Sequence, residues 1–173
     1  MSSTSEPRTA VYTGSFDPIT LGHLNVIRRS SRLFDRLIIG VGINANKIPM
    51  FSAEERVAFV RQLSAPCGNV TVDTFTGLAV QFVRDCKARI MVRGVRPLTD
   101  IAAEFTMMLA NKQLDPDIDT VFLMAAEEYS HVSSSLIKEI TPLATDEMLA
   151  RFLPREIIPD LRRKLQLQSE SGG

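Results

Sequence analysis

The stretch GSFDPITLGH, residues 14–23, follows a short apolar run, TAVYT at 9–13. A strand that ends at glycine, turns through Asp-Pro and restarts behind a threonine is the first half of a strand–helix unit. Thr20 suits the N-cap of that helix, with Ile19 and Leu24 placed as a hydrophobic staple around it. Leu21, Gly22 and His23 then occupy the first turn, where backbone N–H groups lack partners and the helix dipole is positive. Such a turn binds anions. Gly22 has no Cβ to hold a phosphate off the backbone, and His23, one of only two histidines in the chain, stands beside it. Turn chemistry explains Gly14, Pro18 and Gly22; it does not require the histidine. The spacing matches neither the dinucleotide fingerprint G-x-G-x-x-G nor the P-loop G-x-x-x-x-G-K-[ST].

The alternation continues outward from this unit. RLIIGVGI (Arg36–Ile43) is a near-continuous apolar run of the kind that forms a strand covered on both faces. Ser52-Ala-Glu-Glu55 is a capping box that opens a helix to about Leu63. NVTVDT (69–74), RIMVRG (89–94) and DTVFLMA (119–125) read as three further strands. Helices are expected over 78–86, over 101–114 with Phe105, Met108 and Leu109 packed inward, over 133–140, and after Pro154 ahead of a frayed QSESGG tail. Strands alternating with helices predict an α/β fold: a Rossmann-like, doubly wound, five-stranded parallel sheet with helices on both faces. The 173 residues suit one domain, 1–173, with 1–7 and 167–173 as flexible ends.

Composition excludes several classes of function. Twenty basic residues balance twenty acidic ones, so no global field favours nucleic acid or an anionic membrane, and anion binding has to come from local groups. No apolar run approaches the roughly 18–20 residues of a membrane span. The polar start MSSTSEP has no apolar h-region, so no secretory signal is expected. Cys67 and Cys86 lack C-x-x-C spacing and read as reduced thiols of a cytoplasmic protein.

In doubly wound sheets ligands sit at the carboxyl ends of the strands, and the unusual residues of this chain gather there. After the second strand, NANKIPMF carries Lys47 in a polar loop. After the fourth, VRGVRPLTD sets Arg93 and Arg96 around Gly94, two guanidiniums suited to bidentate phosphate recognition. Glu104, one turn into the next helix, is placed to pair Arg96, to touch a ligand, or to lie on the helix surface. After the fifth, EEYSHVSSSLIKE offers Ser133, Ser134 and Ser135 at a helix start; an N-cap explains one serine, not three. His131 reads as a loop or structural residue. Four anion-friendly segments at four strand ends suit a ligand with several phosphates.

GSFDPITLGH, VRGVR and SSSLIKE, in this order and at these intervals, resemble the bacterial phosphopantetheine adenylyltransferases, from about Arg8 through the C-terminal helix. The T-x-G-H at Thr20–His23 alone would mark only the wider nucleotidylyltransferase superfamily; the other two segments make the resemblance specific. It implies transfer of the adenylyl group of ATP to 4'-phosphopantetheine, giving dephospho-coenzyme A and pyrophosphate, the penultimate step of coenzyme A synthesis. It further implies Mg²⁺ carried by ATP without a protein metal site, a homohexamer, a cytoplasmic location, no nucleic-acid or membrane partner, and feedback by coenzyme A. By resemblance the catalytic residues are His23, Lys47 and Arg93, and the acceptor contacts are Ser15, Lys47, Ala79 and Arg93. ATP would be held by Ser15, Phe16, His23, Gly94, Val95, Arg96, Glu104, Tyr129, Ser130, His131, Val132 and Ser133 to Ser135. The chain departs from common members at Ala103, which lacks a large side chain, and at Tyr129, where tryptophan is frequent. The alternatives are an adenylyltransferase for another phosphate acceptor, such as nicotinamide mononucleotide, and a nucleotide sensor that has lost turnover. The latter would be expected to lose His23, Lys47 or Arg93 first, and the chain keeps all three.

Overall fold

The computed structural model describes residues 6–96 and 100–171. Five parallel strands, β1 (Thr9–Gly14), β2 (Arg36–Ile43), β3 (Val70–Thr76), β4 (Ile90–Val95) and β5 (Asp119–Met124), form one sheet in the order β3-β2-β1-β4-β5. This is the doubly wound arrangement expected from the alternation, and the chain reverses its direction of travel between β1 and β4. The crevice at that switch point opens above their carboxyl ends.

The helices are α1 (Leu21–Leu33), α2 (Ala53–Ser64), α3 (Ala79–Asp85), α4 (Ile101–Leu114), α5 (Ser134–Ile140), α6 (Asp146–Leu149) and α7 (Ile158–Ser171). Period-two alternation divides the core into two layers. Ala10, Tyr12, Leu37, Ile39 and Val92 point to one face, where they meet Leu24, Val26 and Ile27 of α1, Val57 and Val60 of α2, Ile137 of α5 and Leu161 of α7. Val11, Ile38 and Met91 point to the other, against Val80, Phe82 and Val83 of α3. Gly40 belongs to this second layer because a Cβ there would lie 2.5 Å from the Phe82 ring.

Two expectations need correction. Helix α4 does not pack through Phe105, Met108 and Leu109: Phe105 is 49% and Leu109 62% exposed, and Met108 is only half-buried. The inward side follows Glu104, Met108 and Asn111 instead, with the Asn111 amide against Met91 Sδ at 3.7 Å. Phe105 lies flat on Phe122 of β5, the ring centroids 5.2 Å apart. At the other end of the chain, α7 continues to Ser171, through most of the segment expected to fray. The one-turn helix α6 had no counterpart in the sequence reading; Thr145 caps it by accepting from Met148 N–H. Residues 1–5 and 172–173, parts of the ends expected to be flexible, lie outside the described residues, as do 97–99.

Candidate active site

A cleft of about 310 Å³ opens over β1 and β4. Its walls come from Tyr12, Thr13, Gly14 and Ser15 at the end of β1, and from Thr20, Gly22, His23 and Val26 of α1 and its cap. Arg93, Gly94 and Arg96 follow from β4, Asp100 and Glu104 from α4 and its cap, and Ala125 and Val132 to Ser135 from the segment after β5. Three of the four strand-end segments singled out by their chemistry meet here.

His23 is held by its own helix cap. Thr20 is the N-cap of α1, its Oγ1 accepting from His23 N–H at 3.3 Å, and Thr20 N–H donates in return to His23 Nδ1 at 3.0 Å. This is a capping box in which the imidazole replaces the usual carboxylate. Because Nδ1 accepts a backbone proton, the ring proton sits on Nε2, the nitrogen left for the cleft. Burial lowers the His23 pKa to about 4, helped by the positive charges of Arg96 and Arg93, so the ring is neutral at physiological pH. Phe16 is fully buried and packs edge-on against His23 at 5.1 Å and against Tyr12 at 5.4 Å. Its φ of 49° is the left-handed backbone that swings the ring inward, so its side chain supports His23 from the core and does not line the cleft.

The remaining first-turn donors are mostly taken. Leu21 N–H donates to Phe152 O at 2.9 Å, leaving Gly22 N–H as the one first-turn donor without a protein acceptor among the described residues. That group faces the cleft beside His23.

Arg93 donates through Nε and Nη2 to both Glu104 oxygens at 2.8 and 2.7 Å, and through Nη1 to Thr13 O at 2.8 Å. Glu104 therefore pairs Arg93, and Arg96 pairs Asp100 instead, with two contacts of 2.7 Å. Both guanidiniums are oriented before any ligand arrives, and each has more N–H groups than its carboxylate engages. Of the three serines, Ser133 caps α5 by accepting from Leu136 N–H, and Ser134 Oγ donates to Pro18 O at 2.9 Å. Ser135 is exposed at the cleft rim.

Other candidates lie outside the cleft wall. Lys47 is exposed in the loop after β2, and Ala79 begins α3 on the far side of the sheet. Val95 is buried beneath the cleft. Tyr129 and Ser130 follow in a short 3₁₀ turn and its cap, with Tyr129 Cβ 3.7 Å from where a Gly22 Cβ would stand. His131 is exposed, its ring edge-on to Phe152. Among the described residues no group of three or more His, Cys, Asp or Glu could hold a metal ion.

Of the buried charges that leave no periodic signal in the sequence, two brace the cleft. Asp17 accepts from Met50 N–H and Phe51 N–H at 2.9 and 2.8 Å and from Lys138 Nζ at 2.7 Å. Arg56, also buried, donates through Nη1 to Ser15 O at 2.8 Å and Gly42 O at 2.9 Å, fixing the turn after β1 to the end of β2. Their signals were the aspartate of FDP, the lysine of SSSLIKE and an arginine inside an otherwise amphipathic helix.

The cytidylyltransferase-like family matches residues 11–140, the span that contains every wall of this cleft. A phosphopantetheine adenylyltransferase of Rhodopirellula baltica is 62% identical over 161 residues, 92% of this chain and 90% of the relative. One from Clostridium botulinum is 41% identical over 163 residues, 94% of this chain and 98% of the relative. The chain belongs to the phosphopantetheine adenylyltransferase family. The fold extends beyond this family. A Plasmodium falciparum nicotinic acid mononucleotide adenylyltransferase complexed with NaAD aligns with a TM-score of 0.60 at 12% identity, over 92% of this chain and 96% of that one. In this phosphopantetheine adenylyltransferase family member the cleft carries the imidazole capping box and the two braced arginines.

Proposed function

We propose that this chain transfers the adenylyl group of ATP to the phosphate of 4'-phosphopantetheine, releasing pyrophosphate and dephospho-coenzyme A. The observation that carries the reading is His23: a neutral ring, turned by Thr20 so that Nε2–H faces the cleft beside the free Gly22 N–H. The acceptor's phosphate oxygen forms a bond to the α-phosphorus as the bond to the β-phosphate bridging oxygen breaks. A phosphate monoester has a second pKa near ~6 and is largely dianionic at neutral pH, so this nucleophile needs no general base. What the site has to supply is alignment and donors toward the charge that builds on the α-phosphoryl oxygens. Nε2–H of His23, N–H of Gly22 and the Arg93 N–H left over by Glu104 and Thr13 are such donors. MgATP is the substrate form in this reading, its ion held by phosphates and water.

Lys47 and Ala79 serve the acceptor in this proposal. Lys47 projects from a loop whose far end, at Met50 and Phe51, is fastened by Asp17. Lys47→Ala is expected to raise the acceptor's KM or reduce turnover while MgATP binding stays within about two-fold, an expected pattern of acceptor-specific loss. Steady-state kinetics with each substrate varied in turn, beside a direct MgATP titration, would expose the reverse selectivity and reject the role.

The same reading makes the chain a single-domain, cytoplasmic enzyme, with which its two free thiols agree, and subject to feedback by coenzyme A, whose pantetheine arm the acceptor shares. It also makes the chain a hexamer. The apolar side chains left open along α4 and at Met124 of β5 support an assembly that covers them. The deciding experiment is pyrophosphate release from MgATP with 4'-phosphopantetheine, with nicotinamide mononucleotide, or with no acceptor. Release with 4'-phosphopantetheine alone is expected. Release with the mononucleotide instead would keep the chemistry and change the acceptor, and no release despite MgATP binding would leave a sensor.

A further inference from the structure

On sequence grounds Tyr12 is ordinary strand core: an aromatic residue in the middle of an apolar run. In the folded chain its ring is indeed buried, 5% exposed, and wedged edge-on against Phe16. Its hydroxyl is another matter. A buried tyrosine usually finds a hydrogen-bond partner for its O–H; Tyr12 has none among the described residues, and its oxygen is not one of the fully buried unpartnered atoms, Ser30 Oγ and Asn69 Oδ1, but belongs to a residue that lines the cleft.

The neighbouring backbone keeps that hydroxyl within reach. Gly94, on the adjoining strand, would with a Cβ come within 3.3 Å of Tyr12 Oη and 2.9 Å of Val26 Cγ2. The missing side chain leaves a gap through which the hydroxyl meets the cleft. Burial pushes the phenol pKa up, with Arg93 opposing and Glu104 adding to the rise, so the group remains an O–H donor throughout the working pH range.

The cleft is lined by two kinds of residue. Thr13, Ser15, His23 and Arg93 are polar and suited to phosphates, while Val26, Gly94, Ala125 and Val132 offer apolar surface suited to a flat, weakly polar group. Tyr12 Oη stands by Gly94, whose other close neighbour is Val26, and feels the charges of Arg93 and Glu104. We propose that the Tyr12 hydroxyl is a nucleotide contact, donating a hydrogen bond to the nucleoside part of bound ATP. This rests on the adenylyltransferase reading and adds to it a specificity-determining group on the nucleotide side.

The test is Tyr12→Phe, which keeps the ring and removes only the oxygen. Calorimetric titration with MgATP is expected to show Kd weakened about 3- to 10-fold, the loss of one neutral hydrogen bond. The KM for pyrophosphate in the reverse reaction is expected to hold, because pyrophosphate carries no nucleoside. The melting temperature of the free protein is expected not to fall, since the hydroxyl has no partner to lose there. Unchanged MgATP affinity would overturn the proposal, with or without a lowered melting temperature. Equal losses for MgATP and pyrophosphate would also overturn it, placing the hydroxyl on the phosphates. Failure of the unmodified protein to bind MgATP at all would remove the adenylyltransferase reading and this contact together.

Discussion

His23→Ala is expected to lower kcat by about 10²–10³-fold, the usual loss when one donor to a developing oxyanion is removed, while the MgATP dissociation constant changes by less than about three-fold. The asymmetry follows from where the ring is held. Thr20 N–H fixes Nδ1, so Nε2–H is a pre-aimed donor that gains most when charge accumulates in the transition state. If MgATP affinity fell in parallel and turnover at saturation survived, His23 would be a ground-state contact only. The substitution also leaves the buried Thr20 N–H without its acceptor, so kinetics must be taken at a temperature where the variant is demonstrably folded.

The protonation state gives this first prediction a second arm. His23 is lowered to about 4 from an ordinary value of 6.5, chiefly by burial and then by Arg96 and Arg93. Between those pH values the unfolded chain binds a proton at this position and the native chain does not. Native stability therefore falls as pH drops through that window and is independent of His23 above it. Urea midpoints at pH 7.5 and 5 are expected to differ more in the parent protein than in His23→Ala. Turnover at saturating substrate is expected to show no limb near pH 6.5. An acid limb in kcat/KM for the acceptor belongs to the acceptor's own phosphate, near pH ~6. A histidine limb near pH 6.5 in kcat would mean that the ring titrates freely, against the burial seen here.

What the sequence made legible, and what it hid, divides along a physical line. The strands and α1 were readable because their signals are local: continuous β-branched runs, a glycine at a strand end, a threonine cap. The cleft was readable because a doubly wound sheet gathers its strand ends in one place, whatever residues lie between. The orientation of α4 was not. Ile101, Phe105, Met107 and Leu109 leave a helix with apolar residues on most sides, so no stripe announces the core, and the inward side is claimed by Glu104 reaching Arg93. Such a pair, eleven residues apart across a strand and a helix, leaves no periodic trace. Phe16, an ATP contact by resemblance, has a left-handed backbone that turns its ring into the core beneath His23, a placement with no periodic signal in the sequence.

Asp17 was the best-concealed residue of all, because aspartate before proline already has a local explanation in turn chemistry. In the structure its carboxylate joins three segments: the turn after β1, the backbone at Met50 and Phe51, and Lys138 of α5, 121 residues away in the chain. Burial is the largest single influence on its pKa and pushes it up; Lys138 and the two N–H donors together outweigh it and hold the group below its ordinary value. Its contribution to stability is thus complete above the ordinary aspartate range and lost as pH falls through the lowered native value. Asp17→Ala is expected to cost about 2–4 kcal/mol in urea unfolding, the cost of leaving buried donors unsatisfied plus the loss of a partly exposed ion pair. Two backbone N–H groups lose their acceptor at the same time. Lys138→Met is expected to cost clearly less, because the lysine is 37% exposed and Asp17 retains both backbone donors. The order of the two losses is the test: equal losses would mean that the ion pair alone matters and the backbone anchoring does not. The anchoring also has a kinetic expression. Met50 lies three residues beyond Lys47, so freeing Met50 and Phe51 is expected to raise the acceptor KM of Asp17→Ala, measured where the variant is folded, more than that of Lys138→Met. An acceptor KM unchanged in both variants would show that the loop holds Lys47 without help from Asp17.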